Sequence, residues 1–546
     1  MEECASMRGG FSPSGETLAR ARSALRTAVG RFAGVHVELL ALIWFGAALA
    51  TTLWVWGLNP LTFQGDEAVN RMAAALIVER GRPLVEVPLS DPEDLLHMHE
   101  WMTIGSYALP IYPPVLFYLY GWLLKLGVVG QFVISALPAS GAAAFVYGTA
   151  QLLPAGRRWL ALPAPLLGMP ALYWLLRPWA NISLVLTSLC WGFCWWTIWR
   201  ERKATGYLAA ALFSVGVAAA TRPDFAAHPL TVAMLLALAV APRKYPAILA
   251  LVVASGLCAV TANLLLNRAV SGTSFRPVYE AVLDRDHGVA SAGSLGLLLR
   301  LWFPMGVPSI DETLKLIHRY WIELGQLKWL LAAQLTIIPL FFRVGWLSRA
   351  CYLLVLLILL LFLFSHVHWE LFGVTDPTPL SEHSVPRYWT PLYLFAALPP
   401  ILALGRVRSR SLLAVGAVLA GLLSWSTVYG IYKTQRTTYP ALRQLVHGSP
   451  RVLDALSRHV PKDAIVFSWS RHGTLWSRFR RMGLIGEPVP TAESMNRCVQ
   501  ADIPVYVYGP YPLHVQRRLQ RELSRRRLLM VPVDRNLGLF RIQRRS

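Results

Sequence analysis

The sequence predicts an all-α polytopic membrane domain of about 11 to 13 transmembrane helices, followed by a small carboxy-terminal α/β soluble domain. Three observations predict it. The 546 residues are 55% hydrophobic and only 15% charged, with a mean hydropathy of +0.44, which is too apolar for an ordinary soluble protein. Continuous apolar runs of roughly 17 to 25 residues recur along most of the chain, the length a helix needs to cross about 30 Å of hydrocarbon; a barrel would instead alternate. From about residue 433 onward, short helix and strand patterns replace the apolar runs.

Residues 1–35 read as a cytoplasmic basic segment. They carry Arg8, Arg20, Arg22, Arg26 and Arg31, and the span after them has no small-residue cleavage site, so no cleavable signal peptide is expected. The membrane domain, 36–432, shows spans beginning near 37, 112, 130, 158, 180, 205, 225, 245, 327, 350, 388 and 411. Lys and Arg near span ends mark the cytoplasmic side. By that rule "PAGRRW" (154–159), "RERK" (200–203), "PRK" (242–244), "RVGWLSR" (343–349) and "RVRSR" (406–410) are inside. "TRPDFAAHP" (221–229), the loop 267–325, residues 369–387 and the tail are then outside. Upstream of 200 the count does not close, because 112–153 should hold an odd number of crossings and shows two. A half-inserted segment, or one more crossing, would restore parity at eleven or thirteen.

Two soluble parts remain. The first outer loop, 59–111, opens with a helix pattern whose apolar positions Ala68, Met72, Ala75, Leu76 and Val78 suit a stripe on the membrane surface. The tail, 433–546, reads as helix "RVLDALSRHV", strand "AIVFSW", helix "TLWSRFRRM", strand "IPVYVYG", basic helix "LHVQRRLQRELSRRR" and strands "LLMVPV" and "LGLFRI". About 110 residues suffice for a modest core. The tail holds 21 Lys and Arg against 7 Asp and Glu, so +14 of the chain's +22 sits there. Beside a membrane such charge suits anionic headgroups or lipid-linked phosphates better than nucleic acid; a solvated arginine-rich surface is the plain alternative.

Six cysteines, four of them inside apolar runs, make no disulfide framework, and Cys190 with Cys194 one turn on suits packing better than a metal. The chain lacks a Walker-type loop, a dinucleotide fingerprint and an HExxH, which argues against ATP-driven transport, nucleotide cofactors and zinc proteolysis. His97, His99 and Glu100 in "LLHMHEW", and the stretch "DRDHG" (284–288), are weak metal patterns and read as polar loops. No residue is assigned to a metal. The cofactor requirement stays open: a divalent cation is compatible with the carboxylates, and none is firmly implied.

The residues that could carry chemistry cluster at outer span ends. Asp66 and Glu67 stand together where the chain leaves the first span. They could cap the following helix, since acidic groups satisfy its free N–H groups, or they could do chemistry. Arg177 in "LLRPWANIS", Arg222 with Asp224 in "TRPD", and Arg387 with Tyr388 in "VPRYWTPLYLFAALPP" lie on the side that short basic loops avoid. Each could snorkel to the interface or bind an anion.

The order of these features resembles the GT-C superfamily of integral-membrane glycosyltransferases, in particular the branch with protein O-mannosyltransferases and bacterial lipid A aminoarabinose transferases. Asp66 and Glu67 match that family's acidic pair in the first outer loop. Pro113 and Pro114 match its double-proline entry to the next span, with Tyr112 where His is common. "LLRPWANIS" is similar to its Arg-containing segment, with Asn181 where Asp is usual, and "TRPD", "RYWTP" and the tail follow in the family's order.

The resemblance implies a GT-C-like fold in a prokaryotic inner membrane, with the site on the external face. It implies a sugar donor on a polyprenyl phosphate and an acceptor hydroxyl of unknown identity, with membrane lipid but no nucleic acid as partner. An acceptor hydroxyl attacks poorly without a base, and Asp66 is the candidate, with Glu67 beside it. The leaving phosphate needs charge compensation, for which Arg177, Arg222 and Arg387 are the candidates, joined by Asp224, Tyr388 and Tyr112. A secondary transporter or flippase, or a surface-polysaccharide polymerase or ligase, is the alternative; the absence of an internal repeat speaks against the transporter.

Overall fold

The structure, a computed structural model, describes residues 36–58, 65–89, 96, 101–104, 106–110, 112–222, 227–271, 310–318, 346–365, 389–433, 439–468, 475, 479, 482–485, 487–509 and 513–545. Two long apolar helices, α1 (Val37–Trp56) and α4 (Val128–Gln151), form the near side of a helical bundle. Between them come α2 (Gly65–Arg80), a three-stranded antiparallel sheet and α3 (Val115–Leu124). In that sheet β1 (Val85–Glu86) and β2 (Trp101–Ile104) flank β3 (Tyr107–Pro110), with Ala108 opposite both Val85 and Thr103. The sequence pattern does not show these short strands.

Length separates α3 from the spans. Its ten residues rise about 15 Å, half of the hydrocarbon thickness. Gly127, at φ +63°, turns the chain straight into α4, and a Cβ at Gly130 would lie 1.7 Å from the carbonyl oxygen of Leu123, so the two helices abut at backbone distance. The apolar run over 112–153 therefore holds one half-length helix and one full one.

The segment expected to cross from 158 is broken into a 3-10 helix (Ala155–Ala161), α5 (Ala164–Leu167) and α6 (Met169–Leu175). Prolines 163, 165 and 170 withhold the N–H groups a continuous helix needs. Freed carbonyls cannot turn to water inside a bilayer, and indoles on α1 take two of them. Trp44 Nε1 donates to Leu162 O at 2.8 Å and Trp56 Nε1 to Leu176 O at 3.1 Å. Because 44 meets 162 and 56 meets 176, the broken segment rises parallel to α1.

The remaining helices are α7 (Asn181–Arg202), α8 (Thr205–Thr221), α9 (Ala227–Val240), α10 (Tyr245–Ser271), α11 (Ile310–Ile317), α12 (Trp346–Ser365), α13 (Thr390–Ala396), α14 (Leu398–Leu404) and α15 (Arg410–Lys433). Among the described residues, α1, α4, α7 and α10 are both long and apolar enough to cross a membrane. Helices in lipid gain little from apolar burial and associate through close packing. A Cβ on Gly141 of α4 would stand 2.9 Å from Cα of Thr187, and one on Gly148 would meet Phe193 at 2.7 Å, so α4 and α7 run parallel at close range. Arg157 donates to the carbonyls of Leu404 and Gly405, while Gly168 abuts Tyr393 and Leu394, so α13 and α14 run antiparallel to the broken segment.

The tail begins with α16 (Tyr439–Ser457) and folds around a five-stranded mixed sheet of order β5-β4-β6-β8-β7. Here β5 (Met482–Leu484), β4 (Ile465–Ser468) and β6 (Val505–Tyr508) are parallel, and β8 (Leu539–Arg544) with β7 (Leu528–Asp534) closes antiparallel. Two helices cover it, α17 (Pro488–Gln500) and the basic α18 (Leu513–Arg525), which buries Val515, Leu519 and Leu523 and exposes Arg517, Arg518 and Arg521. Met482, expected at a helix end, starts β5, and α17 is a helix the sequence pattern did not show.

The stripe on α2 has a different partner from the one expected. Ala68, Met72 and Leu76 pack into one core with Val85 and Trp101 of the loop sheet and with Phe467, Tyr506 and Leu456 of the tail, while Val78 is exposed. The opposite face, Ala73, Ala74 and Ile77, packs on Leu116, Phe117 and Tyr120 of α3. Thus α2 is a wedge between tail and bundle rather than a helix lying on lipid. Both of its faces are apolar, and packing both against protein removes more apolar area from water than a one-sided contact with lipid would.

Candidate functional site

The wedge places the acidic pair. Gly65 opens α2, so the backbone of Asp66 and Glu67 forms its first turn. Glu67 is 1% exposed, and its Oε1 accepts a hydrogen bond of 2.5 Å from Nε of Arg177, itself 1% exposed. Two residues that sequence order set 110 positions apart are thus joined in a buried ion pair. Such a pair tolerates loss of water only when its fork is well partnered. Arg177 Nη1 donates to the Tyr173 hydroxyl at 3.4 Å, and the guanidinium lies 4.4 Å from the Trp174 ring, 5.4 Å from Tyr173 and 5.8 Å from Trp56.

The turn carrying Arg177, between α6 and α7, is pinned carbonyl by carbonyl. Leu176 O accepts from Trp56, Pro178 O from the Tyr120 hydroxyl at 2.7 Å, and Trp179 O from Asn70 Nδ2 at 2.9 Å. Tyr120 also meets Trp179 edge-on at 5.1 Å. Buried backbone groups need such partners, and here α1, α2 and α3 each supply one. The turn cannot move without disturbing all three helices.

Arg222 follows the last residue of α8 and is 5% exposed. Ala219 and Ala220 of the same helix pack with Val115, the first residue of α3, so Arg222 lies at the same end of the bundle as the ion pair. Tyr112, just before the two prolines, is half-buried against the core shared by α2 and the tail. Asp224, Arg387 and Tyr388 lie outside the described residues, as do His97, His99, Glu100 and the 284–288 stretch. Trp389, next to Tyr388, is fully buried, and α13 after it packs on α6. Among the described residues no group of three His, Cys, Asp or Glu side chains could hold a metal, and none of Cys190, Cys194, Cys258, Cys351 and Cys498 forms a disulfide.

Several residues of the site are absent from the motif reading. Arg71 stands one turn after Glu67, and burial alone pulls its guanidinium down to about 10, so it still carries its charge at neutral pH. Its signal was present in the sequence as an acid and a base at i, i+4. Asn181, in the first turn of α7, is fully buried, and neither amide atom has a hydrogen-bond partner. Tyr173 and Tyr439, which frame the ion pair, carry no sequence signal that separates them from other interfacial tyrosines.

No family model and no curated protein matches the chain. Among solved structures, it is similar to ArnT from Cupriavidus metallidurans in the apo state, with a TM-score of 0.48 and 13% identity over 92% of this chain and 97% of that one. It is likewise similar to ArnT from the same organism bound to undecaprenyl phosphate, with a TM-score of 0.47 and 11% identity over the same shares of each chain.

Proposed function

We propose that the protein is an inverting membrane glycosyltransferase that moves a sugar from a polyprenyl-phosphate-linked donor to an acceptor hydroxyl on the outer face of a prokaryotic inner membrane. The observation that supports this reading is the buried Glu67–Arg177 pair, which ties the first turn of α2, where Asp66 precedes Glu67, to the turn after α6, beside the end of α1 and the first helix of the tail. The motif order resembling GT-C glycosyltransferases supplies the reaction class. In a single displacement the acceptor oxygen attacks the anomeric carbon, its proton passes to the Asp66 carboxylate, and the bond to the lipid phosphate breaks with its electron pair on the phosphate. That leaving group needs no proton at neutral pH.

Arg222 and Arg387 are assigned to the phosphate, whose oxygens suit a guanidinium fork. Arg177, shared between Glu67 and Tyr173, holds the acidic pair in place. Tyr112, Asp224 and Tyr388 are assigned to the sugar, Tyr112 from its place beside the core shared by α2 and the tail and the other two from their motifs alone. The acceptor stays open as to lipid, glycan or protein.

The topology that fits has eleven crossings: α1, α4, the broken segment, α7, α8, α9, α10, α12, α13 with α14, and α15, together with the one expected from the apolar run that starts near 327 in the sequence, outside the described residues. With α3 half-inserted, every basic turn falls inside and parity closes. The tail is then external. A cysteine introduced at exposed Arg521 should react with an impermeant thiol reagent in intact cells; Cys498, the only native cysteine of the tail, is buried. Reaction only after lysis would overturn this topology.

The activity is tested by mass spectrometry of envelope glycans and glycolipids with and without the gene. We expect loss of one glycosylated product. The same product should fall in cells carrying Arg222→Lys or Arg387→Lys, which keep the charge and lose the fork. An unchanged glycan profile, with a lipid or glycan accumulating in vesicles instead, would move the protein to the transporters.

A further inference from the structure

The first helix of the tail reaches the ion pair. Tyr439, at the start of α16, is 1% exposed and stacks on Tyr173, with ring centroids 5.5 Å apart and planes 17° apart. Its hydroxyl donates to Tyr173 O at 3.3 Å, with Leu172 O at 3.5 Å. Tyr173 is the residue whose own hydroxyl accepts from Arg177 and whose ring lies beside that guanidinium. One turn along α16, Arg443 lies 5.1 Å over Trp54 of α1, two residues before Trp56, the aromatic wall on the other side of Arg177. The tail therefore packs on Tyr173, one wall of the box around the ion pair, and separately on Trp54 of α1.

We propose that Tyr439 is a positioning residue for transfer, acting from the soluble domain through Tyr173 and Arg177 on Glu67 and the adjoining Asp66. The proposal rests on the reading of Asp66 as the base. The geometry has a direction: Tyr439 meets the ring and backbone of Tyr173, Tyr173 meets Arg177, and Arg177 holds Glu67. A helix attached merely for stability could dock anywhere on the bundle end; this one seats its single tyrosine against the residue that holds the arginine.

The test uses the full-length protein in membrane vesicles, reading formation of the product identified by the glycan comparison, per amount of monodisperse protein. Tyr439→Leu, which keeps bulk and loses the stack and the hydroxyl, should lower turnover about tenfold or more, because small displacements of a reacting group are costly. KM for the acceptor should hold. Tyr439→Phe keeps the stack and should restore most of the turnover. The double variant Tyr173→Leu/Tyr439→Leu should be no slower than Tyr173→Leu, since residues acting along one route are not additive.

Multiplying losses in the double variant, or no rescue by Phe, would mark a general structural contribution and overturn the proposal. If Tyr439→Leu does not yield monodisperse protein, Tyr439→Met takes its place, with wild-type turnover as the overturning result. Asp66→Asn, run alongside, separates the two ideas. Full activity there removes the base itself; an inactive Asp66→Asn beside a fully active Tyr439→Leu removes only the positioning role.

Discussion

Purified Asp66→Asn should fold like the parent protein and transfer sugar about 10² to 10⁴ times more slowly, the usual contribution of a positioned general base. Asparagine is nearly isosteric with aspartate and caps a helix as well, so the capping role alone predicts an active variant. The two carboxylates at the start of α2 are not equivalent. Glu67 is buried and paired with Arg177, and the proposed reading gives the base to Asp66. Turnover of Asp66→Asn within a few-fold of the parent, on whichever acceptor is identified, would return the pair to the role of a helix cap. Glu67→Gln bears on geometry instead, and its loss should be smaller.

Arg177→Met should be the most destabilising single exchange at this end of the bundle. Removing one partner of a buried ion pair strands the other, at a cost of about 3 to 5 kcal/mol, whereas removing both lets similar volumes pack without charge. We therefore expect a clearly lower unfolding temperature in detergent for Arg177→Met and recovery of much of it in Glu67→Gln/Arg177→Met. The sign with pH follows. In Arg177→Met the lone Glu67 carboxylate is disfavoured by burial, so its folded-state proton affinity rises above the unfolded one, and the deficit shrinks as falling pH protonates it. An unfolding temperature within a degree or two of the parent at neutral pH would show that the pair is not what holds this corner together.

The sequence made the spans legible because each one is a long apolar run. The expected starts near 37, 180, 205, 245 and 411 fall within a residue of α1, α7, α8, α10 and α15. It raised a half-inserted segment within 112–153 as one of two ways to close the count but did not single out α3, because hydropathy runs on through the turn at Lys125–Gly127, where the glycine marks the reversal. It misassigned the partner of α2, because an apolar stripe is the same whether lipid or a protein core covers it; the neighbour is set by residues almost 400 positions away. Helix α17 was missed because its first turn carries Pro488 and Pro490, which read as loop although helix starts tolerate proline. Of the candidate site, the residues with a chemical signature could be singled out in the sequence, and Glu67, Arg177 and Arg222 lie at one end of the bundle. The aromatic frame was not, because a tyrosine that braces an arginine carries the same pattern as one that faces a headgroup.

The broken crossing between Pro154 and Leu176 bears on how the protein is made. Its interruptions leave carbonyl groups that a lipid-exposed segment could not satisfy, and the groups that satisfy them, Trp44 and Trp56, were synthesised about a hundred residues earlier. This segment is therefore a poor candidate for partitioning into lipid alone. It must leave the insertion machinery already docked on α1, so that its two tryptophans act as receivers for an incoming strand of the bundle. Replacing Trp44 and Trp56 by Phe keeps the bulk and removes only the N–H groups, and should first produce a defect in membrane integration during biogenesis, ahead of any effect on the finished protein.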